Sequence, residues 1–464
     1  MTLIRRYPEV IILTIAAFIT RVWGLYNPPA TVFDEVYFKA YAGDYFSGTY
    51  YFDIHPPLGK LLLAGWAWVA HISPASLTGS DPAVTLRILP AVAGALIIPM
   101  FYAFMRSLGS SRRAATLGAA LLLLDNALLV ESRFILIDSM LILFGLTALT
   151  CFLIARGRSG RMHVLFLILS ALFSGLAVST KWTGLAAIGL IAVIWLGDHV
   201  RHRRQFSWPN RFTEAGILIL IPLIVYMASF AVHFRLLNKT GPGDAFMSLR
   251  YQSSLIGNTN YDPSVTLSFL EKFEDLNSVM LQSERSLKTA THPYSSKWYS
   301  WPLMQRSVYF WQGPTLSNGL QGNIYLLGNP VVWWGVLVVI LAGSLSSDSV
   351  RQRLKPRRFA LIFLALGYLI NFLPFSRIDR VMFLYHYFFA LICSVAFAII
   401  LLEAMCDWSN QGKPWKFTSQ ISRNVYLGMV VTAVILFGYF APLSYGTLLS
   451  PAQIEQHMWL KSWR

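Results

Sequence analysis

The sequence predicts an all-α polytopic membrane protein, and three observations carry that expectation. The chain of 464 residues is 55% hydrophobic with a mean hydropathy of +0.52. Only 13% of it is charged, about half the share in an ordinary soluble domain. Apolar stretches such as IILTIAAFITRVWGLY, VLFLILSALFSGLAVST and VYLGMVVTAVILFGYFAPL recur along it, each close to the roughly 20 residues that cross a hydrocarbon core as helix. No run alternates apolar and polar residues as a transmembrane barrel strand would.

Taken in order, the pattern gives about eleven spans, near 9–26, 83–105, 112–130, 134–155, 162–180, 183–198, 213–235, 331–347, 358–375, 380–403 and 424–446. The first follows Arg5 and Arg6, lacks a small-residue cleavage site and runs on to Tyr26, which predicts a retained helix and not a signal peptide. Arg106, Arg112 and Arg113, then Arg156, Arg158 and Arg161, then Arg201, Arg203 and Arg204, then Arg351, Arg353, Lys355, Arg357 and Arg358 fall in alternate short loops. By the positive-inside rule those loops and the N-terminus are cytoplasmic. Two long segments, about 27–82 and 236–330, are then extracytoplasmic, and they carry half of the 22 acidic residues. The tail from Thr447 lies on that side too, where SPAQIEQHMWLKSW is expected to form a short interfacial helix. The net charge of +16 thus reads as topology and not as a nucleic-acid surface. Cys151, Cys393 and Cys406 sit in or beside apolar spans, so no disulfide is expected. The whole of 1–464 reads as one transmembrane domain with no internal repeat.

In the first long loop, EVYFKAYAGDYFSG and HPPLGKLLLAGWAWVAHI are expected to be helices lying along the membrane surface, the second entered through its prolines. Asp34 and Glu35 precede them. As chain neighbours on a helix they diverge by about 100°, so only one can face a reacting atom while the other holds the loop or contacts a substrate. Polar residues also gather at the ends of later spans on the same side. LLVESRFILIDSMLILF contains Glu131, Arg133 and Asp138. Asp138, a turn into its helix, calls for an arginine partner or a water-filled cavity. VSTKWTGLAAIGL brings Lys181 beside Trp182, and LPFSRIDRVMFLYHYFFAL brings Arg377, Arg380 and His386. Singly, each cation reads as an interfacial anchor. Together with an acidic loop they suit an anionic lipid headgroup facing a carboxylate base, the arrangement that transfer of a sugar from a lipid phosphate requires.

FDEVYF and FDIHPPLGK, ESRFILIDS, STKWTGL, HPYSSKWYSWPLMQRSVYFW, GNPVVWW and FLYHYFFAL occur in this order along the chain. In these motifs the sequence resembles the protein O-mannosyltransferases, multispanning enzymes of the GT-C glycosyltransferase fold. The resemblance implies an eleven-span GT-C bundle with amphipathic surface helices in its first and fourth extracytoplasmic loops. It implies mannose on a polyprenyl or dolichyl phosphate as donor and a serine or threonine hydroxyl of a secreted or membrane protein as acceptor. Asp34 would be the general base and Glu35 an acceptor-contacting or loop-organising residue. Arg133 and Lys181 would organise the site or bind phosphate, with Arg377, Arg380 and His386 as further cationic candidates. One direct displacement would invert the anomeric carbon, with no covalent intermediate. His55 would orient Asp34 or the acceptor, or simply form a rigid His-Pro-Pro turn. Trp298 and Trp301, three apart, suit stacking on a sugar or peptide, or the membrane interface, with His292 and Lys297 as secondary candidates.

One departure from the family is plain: the loop 236–330 is too short for the MIR domain that many eukaryotic members insert there, which fits a compact prokaryotic form in a plasma membrane. The triplet Asn238-Lys239-Thr240 is a sequon on the outer side. Asp34, Glu35, Asp44, Asp53 and His55 offer hard ligands to a divalent ion, but their spacing is not diagnostic, and no obligatory metal or other cofactor is expected. Membrane lipids and the two substrates are the expected partners. The rivals are a GT-C transferase moving another lipid-linked sugar to a lipid or glycan, and a transporter, whose polar groups should gather at the bilayer midplane. The WWDYG motif of oligosaccharyltransferases is absent, since 331–335 reads VVWWG.

Overall fold

The computed structural model describes residues 7–79, 81–201, 208–286, 291–408 and 417–464; Arg5, Arg6, Arg203 and Arg204 lie outside them. Helix α1 (Pro8–Val22) starts on a proline, whose missing N–H costs nothing at the first helical position. Two shorter helices fill the first long loop. Helix α2 (Glu35–Ser47) ends at Gly48, whose φ of +79° is the left-handed conformation that closes a helix, and α3 (Leu58–Val69) starts behind Pro56 and Pro57.

The bundle follows with α4 (Ile88–Ser107), α5 (Arg112–Leu123), α6 (Asn126–Ser132), α7 (Asp138–Arg156), α8 (Gly160–Thr180), α9 (Leu185–Arg201) and α10 (Trp208–Leu236). Helices α5 and α6 meet at a bend of 61° and together are long and apolar enough for one span. The bend has an identifiable cause: Asp125 leaves helical geometry to cap α6, its Oδ1 accepting from the Leu128 N–H at 2.9 Å. The second long loop carries α11 (Phe269–Ser286), and beyond it lie α12 (Val336–Ser344), α13 (Arg358–Phe372), α14 (Phe388–Met405), α15 (Gln420–Tyr445) and α16 (Pro451–His457). Among the described residues eight helices are long and apolar enough to span a membrane, or nine with the bent pair. The other two expected spans also fall on helices, but shorter ones: α1 has 15 residues, and α12 has nine behind a π turn at Val331–Gly335.

One departure from an all-helical expectation is a small antiparallel sheet. Strand β1 (Val308–Gln312) pairs with β2 (Gln321–Leu326), with a bulge between Tyr309 and Trp311, and β2 pairs with β3 (Leu448–Leu449). The expected tail helix is α16, closed by a reciprocal cap between Ser450 and Gln453. Behind it Trp463 is fully buried and donates its indole N–H to the Met304 carbonyl at 2.7 Å. The two long loops are laced together: the Tyr50 N–H donates to the Lys239 carbonyl at 2.9 Å, and the Lys239 N–H to the Gly48 carbonyl at 2.9 Å. They therefore meet at one end of the bundle, the end where α1, α8, α10 and α13 finish and α4, α7 and α14 begin.

Candidate active site

Residues 32–35 make a reverse turn at the start of α2. The Glu35 N–H donates to the Val32 carbonyl at 3.0 Å, and Val32 N–H donates back to Glu35 Oε2 at 3.0 Å. Glu35 is wholly buried, and its other bonds are equally specific. Arg87 Nε donates to Oε1 and Arg87 Nη2 to Oε2, each at 2.8 Å, and the Ile135 N–H donates to Oε1 at 2.9 Å. Arg87 spends its remaining N–H groups on the carbonyls of Leu25 (3.1 Å), Pro28 (2.9 Å) and Ala30 (2.7 Å). A bidentate buried pair of this kind holds three chain segments in register. Of the two roles expected for Glu35, this geometry is that of a loop organiser; its oxygens have no free lone pair for an acceptor.

Asp34 differs in every respect. Its side chain is half-buried, caps no N–H of α2 and takes no hydrogen bond from any described residue. Burial pushes its carboxyl up to about 6; the Lys181 ammonium opposes that, while Asp138 and Asp53 add to it. Lys181 is itself bonded to Asp138, at 2.9 and 2.6 Å, and its Nζ stands 5.7 Å from the centre of the Tyr385 ring. The partner that Asp138 demanded is thus a lysine from two spans away. His55 lies in the field of Lys181, Lys60 and Arg380, and burial with those charges holds its imidazole well below the usual value, hence neutral near pH 7. Lys60 pairs with Asp53 at 2.5 Å and donates to the His55 carbonyl at 2.5 Å, which fixes the FDIH segment over α3. Lys181 therefore stands in the field of both Asp34 and His55, and Arg380 in that of His55, which links charged groups from four separate parts of the sequence.

The other expected residues are distributed unevenly. Arg133 is buried, and its guanidinium donates to the carbonyls of Trp23 (2.6 Å), Gly24 (2.8 Å) and Arg21 (3.0 Å), the last of α1, while lying 4.5 Å from the Tyr445 ring centre. That is the geometry of a helix cap. Arg377 is exposed at the end of the segment after α13. His386 stacks on Tyr385 (4.7 Å between ring centres) and on Trp301 (5.9 Å). Trp301 corrects its expectation: it is 0% exposed, its faces covered by His386 and Phe375, so no sugar can stack on it here. Trp298 packs edge-on against Phe372 and keeps partial exposure. His292 and Lys297 are exposed.

Sequence reasoning missed Arg87, Lys60 and Tyr385. A fully apolar span rarely begins on an arginine without a buried partner, and that was the available signal for Arg87. Among the described residues, no three or more His, Cys, Asp or Glu side chains are arranged to hold a metal ion.

Residues 11–238 match the family described as dolichyl-phosphate-mannose-protein mannosyltransferase, and residues 269–463 match the C-terminal four-TMM region of protein-O-mannosyltransferase. The chain is 35% identical to Protein O-mannosyltransferase 1 of Drosophila melanogaster over 270 residues, which is 53% of this chain and 30% of that protein. It spans about a third of the length of the curated relatives it matches first. A relative of similar length is the polyprenol-phosphate-mannose--protein mannosyltransferase of Corynebacterium glutamicum, 28% identical over 98% of this chain and 92% of that one. The fold matches the S. cerevisiae protein O-mannosyltransferase Pmt1-Pmt2 complex bound to the sugar donor, with a TM-score of 0.87 at 19% identity over 99% of this chain and 93% of that one.

Proposed function

Because the chain belongs to the dolichyl-phosphate-mannose-protein mannosyltransferase family, we propose that it transfers mannose from a polyprenyl-phosphate donor to a serine or threonine hydroxyl of a protein acceptor. The observation that carries this reading is the contrast within the turn. Asp34 is a carboxylate that takes no hydrogen bond from a described residue and lies in the field of Lys181, whereas its neighbour Glu35 is saturated. A carboxylate kept free of hydrogen bonds can take a proton.

In the step we assign, the acceptor hydroxyl gives its proton to an Asp34 oxygen as the hydroxyl oxygen bonds to the anomeric carbon. The bond from that carbon to the phosphate oxygen breaks, and the lipid phosphate leaves with the electron pair. Lys181 and Arg380 supply positive charge where the leaving group becomes more negative. Inversion follows from a single displacement. No obligatory metal enters this scheme, so transfer is expected to survive excess chelator.

The cytoplasmic N-terminus and the extracytoplasmic site are part of the same proposal, supported by the basic short loops and by the net acidity of the first long loop. So is the treatment of 1–464 as one unit in which 27–82 forms the catalytic loop and 236–330 closes over it.

The test is transfer of radiolabel from polyprenyl-phosphate-mannose to a Ser/Thr peptide by the purified protein. Asp34→Asn is expected to lower kcat by about 10²-fold or more with donor affinity kept. Labelling of a lipid or glycan in place of the peptide would replace the acceptor, and near-normal turnover by Asp34→Asn would remove the base.

A further inference from the structure

Phe33 stands in a conformation that its residue type resists. Its φ is +51°, and Asp34 behind it has φ −70° and ψ −3°. With the bond from Glu35 N–H to the Val32 carbonyl, residues 32–35 close a four-residue turn whose first central position has positive φ, a conformation that favours glycine. A phenylalanine there is strained, and such strain persists only where the surroundings over-determine it. The surroundings are visible. The Phe33 ring stacks on Phe310 of β1 at 4.4 Å and 24°, with the edges of Phe383 (6.1 Å) and Tyr385 (6.3 Å) around it. Phe310 is itself packed on Phe134, next to the Ile135 N–H that holds Glu35.

The geometry points to Phe33 as a positioning residue for Asp34: its ring, anchored on Phe310 of the second long loop, holds the turn that aims the carboxylate. Asp34 has no hydrogen bond of its own to orient it. Its direction is set by the two residues that flank it, and Glu35 is fixed by bonds whereas Phe33 is fixed by packing. The strand at 308–312, far away in sequence, thus helps to set the base, and the base side chain stays free for the proton.

This inference rests on the reading of Asp34 as general base, and the experiment separates the two. Turnover and donor KM are measured for wild type, Asp34→Asn, Phe33→Ala, Phe33→Gly, Phe33→Tyr, Phe310→Leu and the Phe33→Ala/Phe310→Leu double variant. Phe33→Gly suits the turn and should fold, yet it has no ring. Both ringless variants at Phe33, and Phe310→Leu, are expected to lose on the order of tenfold to a hundredfold in kcat with donor KM within about twofold. Phe33→Tyr, which keeps the stack, should retain wild-type turnover, and the double variant should be no slower than the worse single one. Wild-type kcat in Phe33→Gly, or losses that multiply in the double variant, would overturn the positioning role while an inert Asp34→Asn leaves the base in place. An active Asp34→Asn would sink the base and the positioning role together.

Discussion

Asp34 and Glu35 are neighbours whose chemistry is decided by their partners. The Asp34 carboxyl is held near 6 by burial, and a base works only when ionised. With Asp34 as the proposed base, raising the pH through that value should turn activity on and lowering it should turn activity off. The kcat/KM profile should therefore fall about tenfold per unit on the acid side of a midpoint near 6, and a profile flat down to about pH 5 would mean that another group takes the proton. Glu35 and Arg87 predict the opposite kind of loss. Arg87→Met leaves a carboxylate with no counter-charge in a fully buried site, a change that costs about 3–5 kcal/mol, so it should lower the melting temperature and the yield of folded protein. Replacing both together with apolar residues should recover little of that, because the Leu25, Pro28 and Ala30 carbonyls and the Val32 and Ile135 N–H groups lose their partners as well, which a thermal unfolding series can check. The sequence made Asp34 and Glu35 visible as a pair; it could not say which was paired, because the deciding arginine is 52 positions away from Glu35.

Helix ends and helix breaks account for motifs that look functional. The GNPVVWW stretch enters the structure as a brace across the bent span. The Asn329 N–H and the Trp333 indole N–H donate to Asp125 Oδ2 at 3.0 and 2.8 Å, and Asn329 Nδ2 donates to the carbonyls of Leu124 (3.0 Å) and Ala433 (2.9 Å). Gly328 lets that indole in, for a Cβ at this position would stand 1.8 Å from Trp333 Nε1. Gly328→Ala should therefore displace Trp333 and destabilise the protein by about 1–3 kcal/mol, read as a lower melting temperature, with kcat per folded molecule unchanged. Normal stability in that variant would show that the indole has another place to go. Arg133 is similar in kind. It came into view beside Glu131 and Asp138, yet its geometry is that of a cap on α1. Long apolar helices were legible because their period and length stand out in any window. Strand β1 was not: VYFWQ is five residues long, and its partners are a strand nine residues on and, through it, a dipeptide in the tail. Pairing of that sort leaves no local signature.

The cluster of charged groups around Asp34 exists because segments far apart in sequence meet at one end of the bundle. The first long loop is tied to the second at Gly48, Tyr50 and Lys239, the second is tied to the tail at Met304 and Trp463, and the Lys181–Asp138 pair joins two spans beneath them. Composition predicted the bundle and the crowding of charge at one end, since both follow from what a bilayer excludes. Closure depends on backbone bonds between loops, which no residue pattern announces. All of it requires that 27–82 and 236–330 share one side of the membrane, and this can be measured directly. Cys151 and Cys393 are buried, and Cys406 is half-buried near the opposite end, so Cys406→Ser gives a background with no accessible thiol. Ser264 in the second long loop and Ser349 in the basic loop after α12 are both exposed, and the side chain of each makes a single surface hydrogen bond, to Asp262 at 2.7 Å and with Ser347 at 2.9 Å. A membrane-impermeant maleimide should label Ser264→Cys in intact cells, and Ser349→Cys only once the membrane is opened. Labelling of both in intact cells, or of Ser349→Cys alone, would reverse or dissolve the assignment, because the charge asymmetry that sets orientation allows one sidedness only. The site would then face the compartment in which secreted acceptors are absent.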